Sequence, residues 1–235
     1  MYKVREIEQR AMIFIYDGVS LQNQRKSNMD SLLLKQRKLK DHVVCVAAVC
    51  DGIGSLPDGA FASSTAIRKL SEWFDGVTDS RRLGLQMRDA VLEINKYIIR
   101  EAEKEQLHTG TTLSALLLDE SRFYIVHTGD SRIYAQLDGT LTQMTEDQSV
   151  GGRLTDCLGR NDKMNLFYNE GSGVGDSFLL CSDGLYKRLT PELLQDGLKQ
   201  VTSRNMRTVI DSFVEYVRTQ GERDNISIAL ILRGK

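Results

Sequence analysis

Cysteine is scarce in this chain: four residues in 235, at positions 45, 50, 157 and 181. No two have zinc-ligand spacing and three lie in or beside apolar runs, so they read as buried, reduced thiols. An excess of charge of either sign is also missing. Lys and Arg number 31 against 32 Asp and Glu, a formal charge of -1, which argues against nucleic acid or an anionic membrane as a bulk partner. No apolar run approaches the roughly 20 residues of a membrane-spanning helix. The opening Met1-Tyr-Lys-Val-Arg-Glu6 lacks the charged-then-apolar layout of a signal peptide. These absences predict a cytoplasmic protein. No internal repeat, low-complexity tract or long linker divides the sequence, so a single domain over residues 1–235 is expected, large enough to bury a sizeable core.

What the chain does carry is a set of apolar runs that meet aspartate. Residues 43–50 are eight apolar residues in a row, stopped by Asp51-Gly52. Their length, valine content and glycine stop predict a buried strand. A carboxylate at the exit of such a strand is costly unless a cation meets it. Residues 178–181 end the same way, at Ser182-Asp183-Gly184, and Asp224-Asn225 immediately precedes the run 226–232. Asp130 closes a turn between two apolar runs, and Asp30 opens one. Carboxylates converging at strand ends drive one another toward protonation unless cations are bound. An all-oxygen donor set suits hard ions such as Mg²⁺ or Mn²⁺. The absence of a side chain on Gly52 lets the backbone approach closely enough for its carbonyl to join the set. One Asp-Gly pair alone is more often a plain turn; the repetition is what points to metal.

Elsewhere the periodicity predicts strands over residues 11–17 (ended by Gly18), 32–34, 111–118, 123–127 and 133–137. Helices are expected over 60–74, 83–106, 191–201 and 204–219, and little regular structure over 145–175. Lys35, Arg37, Lys38 and Lys40 read as a solvated hairpin tip, and Asp119-Glu120, Gly129-Asp130 and Asp138-Gly139 as turns. The order is strands, two helices, strands, two helices, strand, with hairpins between neighbouring strands. That order predicts an α+β fold in which helices cover stacked, mainly antiparallel β-sheets.

Asp51-Gly-Ile-Gly-Ser55, followed by Gly59 and Ala62-Ser63, resembles the Asp-Gly-Met-Gly-Gly…Gly…Ala-Ser signature of metal-dependent type-2C serine/threonine protein phosphatases of the bacterial kind. Further blocks resemble that family in its own order. They are Arg25-x-x-Asn28-x-Asp30, Gly110-Thr111-Thr112, Gly129-Asp130-Ser131-Arg132, Thr145-Glu-Asp147-Gln-Ser149, Ser182-Asp183-Gly184-Leu185 and Asp224-Asn225-Ile226. Seven blocks in order across nearly the whole chain make the resemblance specific.

The resemblance implies two mainly antiparallel sheets sandwiched between pairs of helices, an αββα arrangement. It implies that Asp51 bridges two divalent ions, Mn²⁺ or Mg²⁺, with the Gly52 carbonyl on one of them and Asp183 and Asp224 completing the other. Asp30 would act through water, Asp130 with Asp183 would suit a weaker third ion, and Arg25 would bind the substrate phosphate, whose oxygens a guanidinium fork fits. The implied reaction is hydrolysis of phosphoserine or phosphothreonine by a hydroxide held between the two ions, typically ~3.5–4 Å apart, with no protein nucleophile. A phosphorylated protein is then the substrate, a cognate Ser/Thr kinase the partner and a monomer the state.

Some positions depart from the pattern. Met29 replaces an acid, Gln148 a common His, and Ile53 stands where animal members carry a histidine proposed as general acid. The chain also runs almost directly from Ser149 to Gly159, where typical bacterial members insert a helical flap, so an open cleft is expected. The main rival is a weak or inactive relative that keeps the fold as a binding module; retention of Asp51, Asp183 and Asp224 favours an enzyme. A serine hydrolase would need Ser182 to recruit His42, His108 or His127, and the first glycine of a nucleophile elbow is missing. His127 reads as structural, and residues 171–175 as a turn, since no P-loop lysine follows.

Overall fold

The computed structural model describes residues 14–40, 42–119, 122–137, 139–172, 175 and 177–234. Outside these lie Met1–Glu6, the start of the first expected strand (11–13), Glu120 and Asp138 of two expected turns, and residues 173 and 174 of the glycine-rich stretch. In chain order the strands are β1 (Phe14–Leu21), β2 (Asp30–Leu39), β3 (His42–Asp51), β4 (Leu113–Asp119), β5 (Arg122–Thr128), β6 (Arg132–Leu137), β7 (Thr140–Gln143), β8 (Ser149–Val150), β9 (Arg153–Leu154), β10 (Phe167–Ser172), β11 (Ser177–Cys181) and β12 (Ile226–Arg233). Helices α1 (Gly59–Gly76) and α2 (Leu83–Glu105) follow β3, and α3 (Asp183–Tyr186), α4 (Pro191–Lys199) and α5 (Met206–Thr219) follow β11.

Two five-stranded sheets form, in the orders β1-β12-β11-β6-β7 and β10-β5-β4-β3-β2. Every ladder in them is antiparallel. The continuous apolar run of β3 follows from burial on both faces. Val44, Val46, Ala48 and Cys50 pack toward α1 and α2, while Cys45, Ala47 and Val49 pack toward the other sheet. On the far side Leu179 and Cys181 of β11 and Ile226, Ile228 and Leu230 of β12 meet α3, α4 and α5. Phe178, Leu180, Ala229 and Ile231 fill the space between the sheets. The result is the expected α+β layering: helices, sheet, sheet, helices. Among the described residues no helix is long and apolar enough to cross a membrane.

The elements differ from expectation where local pattern was weak. β1 runs through Gly18 to Leu21 because it lies against β12 throughout. β10 falls inside the segment expected to be irregular. Its sequence Phe-Tyr-Asn-Glu-Gly-Ser has no apolar alternation, and as an edge strand it is held by its ladder to β5. The four-residue α3 is too short to show a period. Between β7 and β11 the described residues contain no helix, only the small β8–β9 hairpin and β10, in keeping with a missing flap.

Of the basic cluster only Lys40 lies at the hairpin tip; Lys35, Arg37 and Lys38 are on the strand. β2 extends to Leu39, and the tip is Lys40, with φ 55°. Lys35 pairs with Asp75 at 2.6 Å. The half-buried Arg37 donates to the carbonyls of Phe74 (2.9 Å) and Asp75 at the end of α1, where the helix dipole favours a cation. Arg37→Met should therefore cost about 1–2 kcal/mol in a urea melt, whereas Lys38→Met, at an exposed neighbour, should stay within about 0.5 kcal/mol of wild type. Equal effects at the two positions would restore the solvated-tip reading.

Candidate active site

Register puts the first two acids face to face. Asp30, the first residue of β2, is the ladder partner of Asp51, the last residue of β3. Like charges directly opposite on a ladder repel, so the backbone around them must be held firmly. The Asp51 amide donates to Thr112 Oγ1 at 2.9 Å, and its carbonyl accepts from Thr112 N and Thr111 Oγ1, both at 2.9 Å. The Gly-Thr-Thr block thus clamps Asp51 from β4's leading edge. A Cβ on Gly52 would sit 2.6 Å from the Gly59 carbonyl oxygen and 2.8 Å from that of Met29. Only glycine lets the start of α1 close onto this loop.

Asp183 enters from the other sheet, where β11 turns into α3. Asp224 sits just before β12, held by its amide on Glu222 Oε1 at 2.8 Å. Asn225 ties this turn to the 22–29 segment. Its Nδ2 donates to the carbonyls of Gln22 (2.8 Å) and Ser27 (3.0 Å), and its Oδ1 accepts from Met29 N at 2.9 Å. Arg25 is thereby presented to Asp224 as a fork, Nε to Oδ1 at 2.8 Å and Nη2 to Oδ2 at 2.6 Å. Asp130 follows Gly129, whose amide and carbonyl are both taken by Gln148, at 3.0 and 2.7 Å. Gln148 therefore orders this turn.

Arg25, Asp51, Gly52, Asp130, Asp183 and Asp224 all line one open cavity of about 1230 Å³. Asp30 lies behind its wall, 7% exposed, with Oδ2 accepting from Ser182 Oγ at 2.8 Å. The carboxylates feel one another. Asp51 is held well above the ordinary carboxylate range, first by burial and then by Asp30, Asp183, Asp224 and Asp130. Burial lifts Asp30 to about 7, opposed by the Ser182 hydroxyl and reinforced by Asp183 and Asp224. Asp130 is raised to about 6 by burial and then by Asp183, with Lys187 working the other way. Asp224 moves down: burial raises it, but the Arg25 fork and the Asn225 amide outweigh burial.

Two observations test whether these residues suit divalent cations. Asp30 Oδ1 and Asp183 Oδ1 are buried without a hydrogen-bond partner, a cost that a cation would offset. The donors are also all oxygen, the chemistry of hard ions. The residues fit. Among the described residues no three acidic, His or Cys side chains are closed to ligating distance. Arg25 on Asp224 and Lys187 on Asp183 take up part of the negative charge instead.

Residues to which sequence alone assigned no metal or phosphate role frame the site. Arg132 forks onto Asp147, Nε to Oδ1 at 2.9 Å and Nη2 to Oδ2 at 2.7 Å, and stacks 3.7 Å above the Tyr186 ring. Ser227 N donates to Ser182 Oγ at 3.0 Å. Ser182 is therefore committed to Asp30 and Ser227. The expected structural role of His127 also holds. It is fully buried, with Nδ1 on Ser114 Oγ (2.9 Å) and Nε2 on the Glu146 carbonyl (3.0 Å), and burial pushes it down to about 4. His42 lies 3.1 Å from Asp119 Oδ1. These contacts leave a serine-hydrolase triad without support.

Known proteins resemble this chain in sequence and in fold. The family model described as Protein phosphatase 2C matches residues 18–230. The serine/threonine phosphatase stp of Listeria welshimeri is 31% identical over 214 residues, covering 80% of this chain and 84% of the relative. The serine/threonine protein phosphatase PstP of Mycobacterium tuberculosis is 29% identical over 231 residues, covering 88% of this chain and 42% of that protein. Among solved structures, the catalytic domain of PstP in complex with two manganese ions superposes with a TM-score of 0.81 at 26% identity, covering 96% of this chain and 100% of that one. Stp1 from Staphylococcus aureus superposes at 0.85 with 18% identity, covering 96% and 97%, a likeness of fold.

The raised acids give the metal-free chain a definite pH response. Unfolded aspartates titrate near ~4, while Asp130 and Asp30 keep protons to about 6 and about 7. In that window the folded chain binds more protons than the unfolded one, so stability falls as pH rises. The urea midpoint of chelated protein should drop between roughly pH 5 and 7.5, and Asp30→Asn should shrink the drop. A midpoint that rises over that interval in wild type and variant alike would contradict the raised values.

Proposed function

The chain belongs to the protein phosphatase 2C family, and on that premise we propose how its residues act as a protein-serine/threonine phosphatase. The enzyme dephosphorylates phosphoproteins and depends on divalent metal. The observation that carries the assignment of roles is the convergence of Asp51, Asp130, Asp183 and Asp224 on one open cavity, beside buried carboxylate oxygens that lack partners.

In this reading Asp51, the Gly52 carbonyl, Asp183 and Asp224 would hold two divalent cations, Mn²⁺ or Mg²⁺. When bound, such cations supply positive charge that lowers the pKa of water and neutralises the phosphoryl oxygens. Asp30 orients water from behind Asp51. Arg25, already in the cavity as a fork, turns its donors to the phosphate of the substrate. Water attacks phosphorus in line; a P–O bond to water forms as the bond to the seryl or threonyl oxygen breaks. The attacking water gives up a proton, and the leaving oxygen gains one from solvent. No side chain becomes covalently attached. The open cleft, roofed by no helix among the described residues, accepts a protruding phosphorylated segment of another protein. We further propose a single catalytic domain that works as a cytoplasmic monomer in signalling, opposite a Ser/Thr kinase, without nucleic acid or membrane.

Phosphate release from a phosphothreonine peptide with Mn²⁺ tests the roles. Asp51→Asn should lower kcat by at least about a thousandfold, the equivalent of several kcal/mol of transition-state stabilisation. Arg25→Ala should chiefly raise KM, by about 10- to 100-fold, as loss of a charged hydrogen-bonding partner predicts. An Asp51→Asn enzyme with near-normal turnover would sink the metal-holding role.

A further inference from the structure

Lys187 is the one cation of the α3 turn that reaches into the cavity, and neither the family blocks nor the proposed mechanism uses it. It lies four residues after Asp183, its amide bonded to the Asp183 carbonyl at 3.1 Å, and its Nζ rests on Asp183 Oδ2. The other oxygen of the same carboxylate, Oδ1, is buried without a partner. Asp183 is thus divided: one oxygen is held by an ammonium from its own chain, the other remains for a ligand. Lys187 also lines the cavity together with Asp130 and Asp224, so it faces the cluster rather than one residue.

We propose that Lys187 is a resident counter-cation which occupies the Asp130–Asp183 side of the cavity and stands in for a further divalent ion there. The inference rests on the metal reading of the cavity given above. Charge balance supports it. Five aspartates line the cavity; Arg132 neutralises Asp147, and two divalent cations would neutralise Asp51, Asp130, Asp183 and Asp224. Lys187 and Arg25, with Lys26, Arg153 and Arg160 also on the wall, then leave an excess of positive charge, which suits a phosphate monoester dianion and opposes a further cation. A third divalent ion on Asp183 would have to displace Lys187 or sit beside it, against like-charge repulsion.

Calorimetric titration of Mn²⁺ into the full, chelator-stripped chain tests this without recourse to activity. Wild type should take up two ions. Lys187→Met should take up a third, or tighten its weakest ion by at least about tenfold; Lys187→Gln should do the same, and Lys187→Arg should match wild type. Lys26→Met removes an equal charge from the same cavity wall and should leave the isotherm unchanged. Superimposable isotherms for wild type and both neutral variants would overturn the proposal, as would an equal change in Lys26→Met. No uptake of Mn²⁺ by wild type would instead overturn the metal reading itself.

Discussion

Repulsion among carboxylates at one rim of the two sheets is the constraint around which this molecule is arranged. Asp30 and Asp51 are ladder partners, and Asp183 and Asp224 come to the same cavity from the opposite sheet. Each lies at or beside the end of a strand, with Asp30 just behind the cavity wall. Left alone, the four would resist folding, and burial, reinforced by neighbouring carboxylates, raises the titration of Asp51, Asp30 and Asp130. The chain meets this repulsion with Arg25, Lys187 and a buried serine hydroxyl. A metal-dependent enzyme gains from the remainder, since an imperfectly neutralised pocket is one that draws in divalent cations.

Rigidity around the rim comes from small polar side chains rather than from bulk. Thr111 and Thr112 bracket the Asp51 peptide, and Thr112 Oγ1 meets Ser131 Oγ at 2.7 Å. Ser114 Oγ then bonds the Ser131 carbonyl at 2.7 Å, and His127 closes the chain. Asn225 performs the same service for the Arg25 segment. Such groups are buried where an unmade hydrogen bond is expensive, so each fixes its neighbour's position closely. This explains why short hydroxyl and amide residues, rather than further acids, surround the aspartates in the sequence blocks.

The legible elements were those with an environment uniform along their length. β3, β11 and β12, buried on both faces, appear in the sequence as apolar runs, interrupted in β12 by Ser227, and α1 and α2 as periodic ones. β10 was hidden because an exposed edge strand needs no apolar pattern. Lys35 and Arg37 resembled a solvated turn because their partners, Asp75 and the end of α1, lie some 40 residues away in sequence. The acids at strand ends were visible one by one; the fork between Arg132 and Asp147 and the Lys187 contact were not, since surface and site cations look alike in a string of letters.

By itself the sequence determined most of the strands and longer helices and that aspartates punctuate the strands, because burial pattern and turn chemistry are local properties. Only the tertiary structure decided which strand ends meet and which charges answer one another. Arg25 and Asp224 are 199 residues apart, and Ser182 and Asp30 are 152 apart. Contacts at such separations arise from how two sheets stack, and stacking depends on the summed packing of both cores rather than on any short stretch.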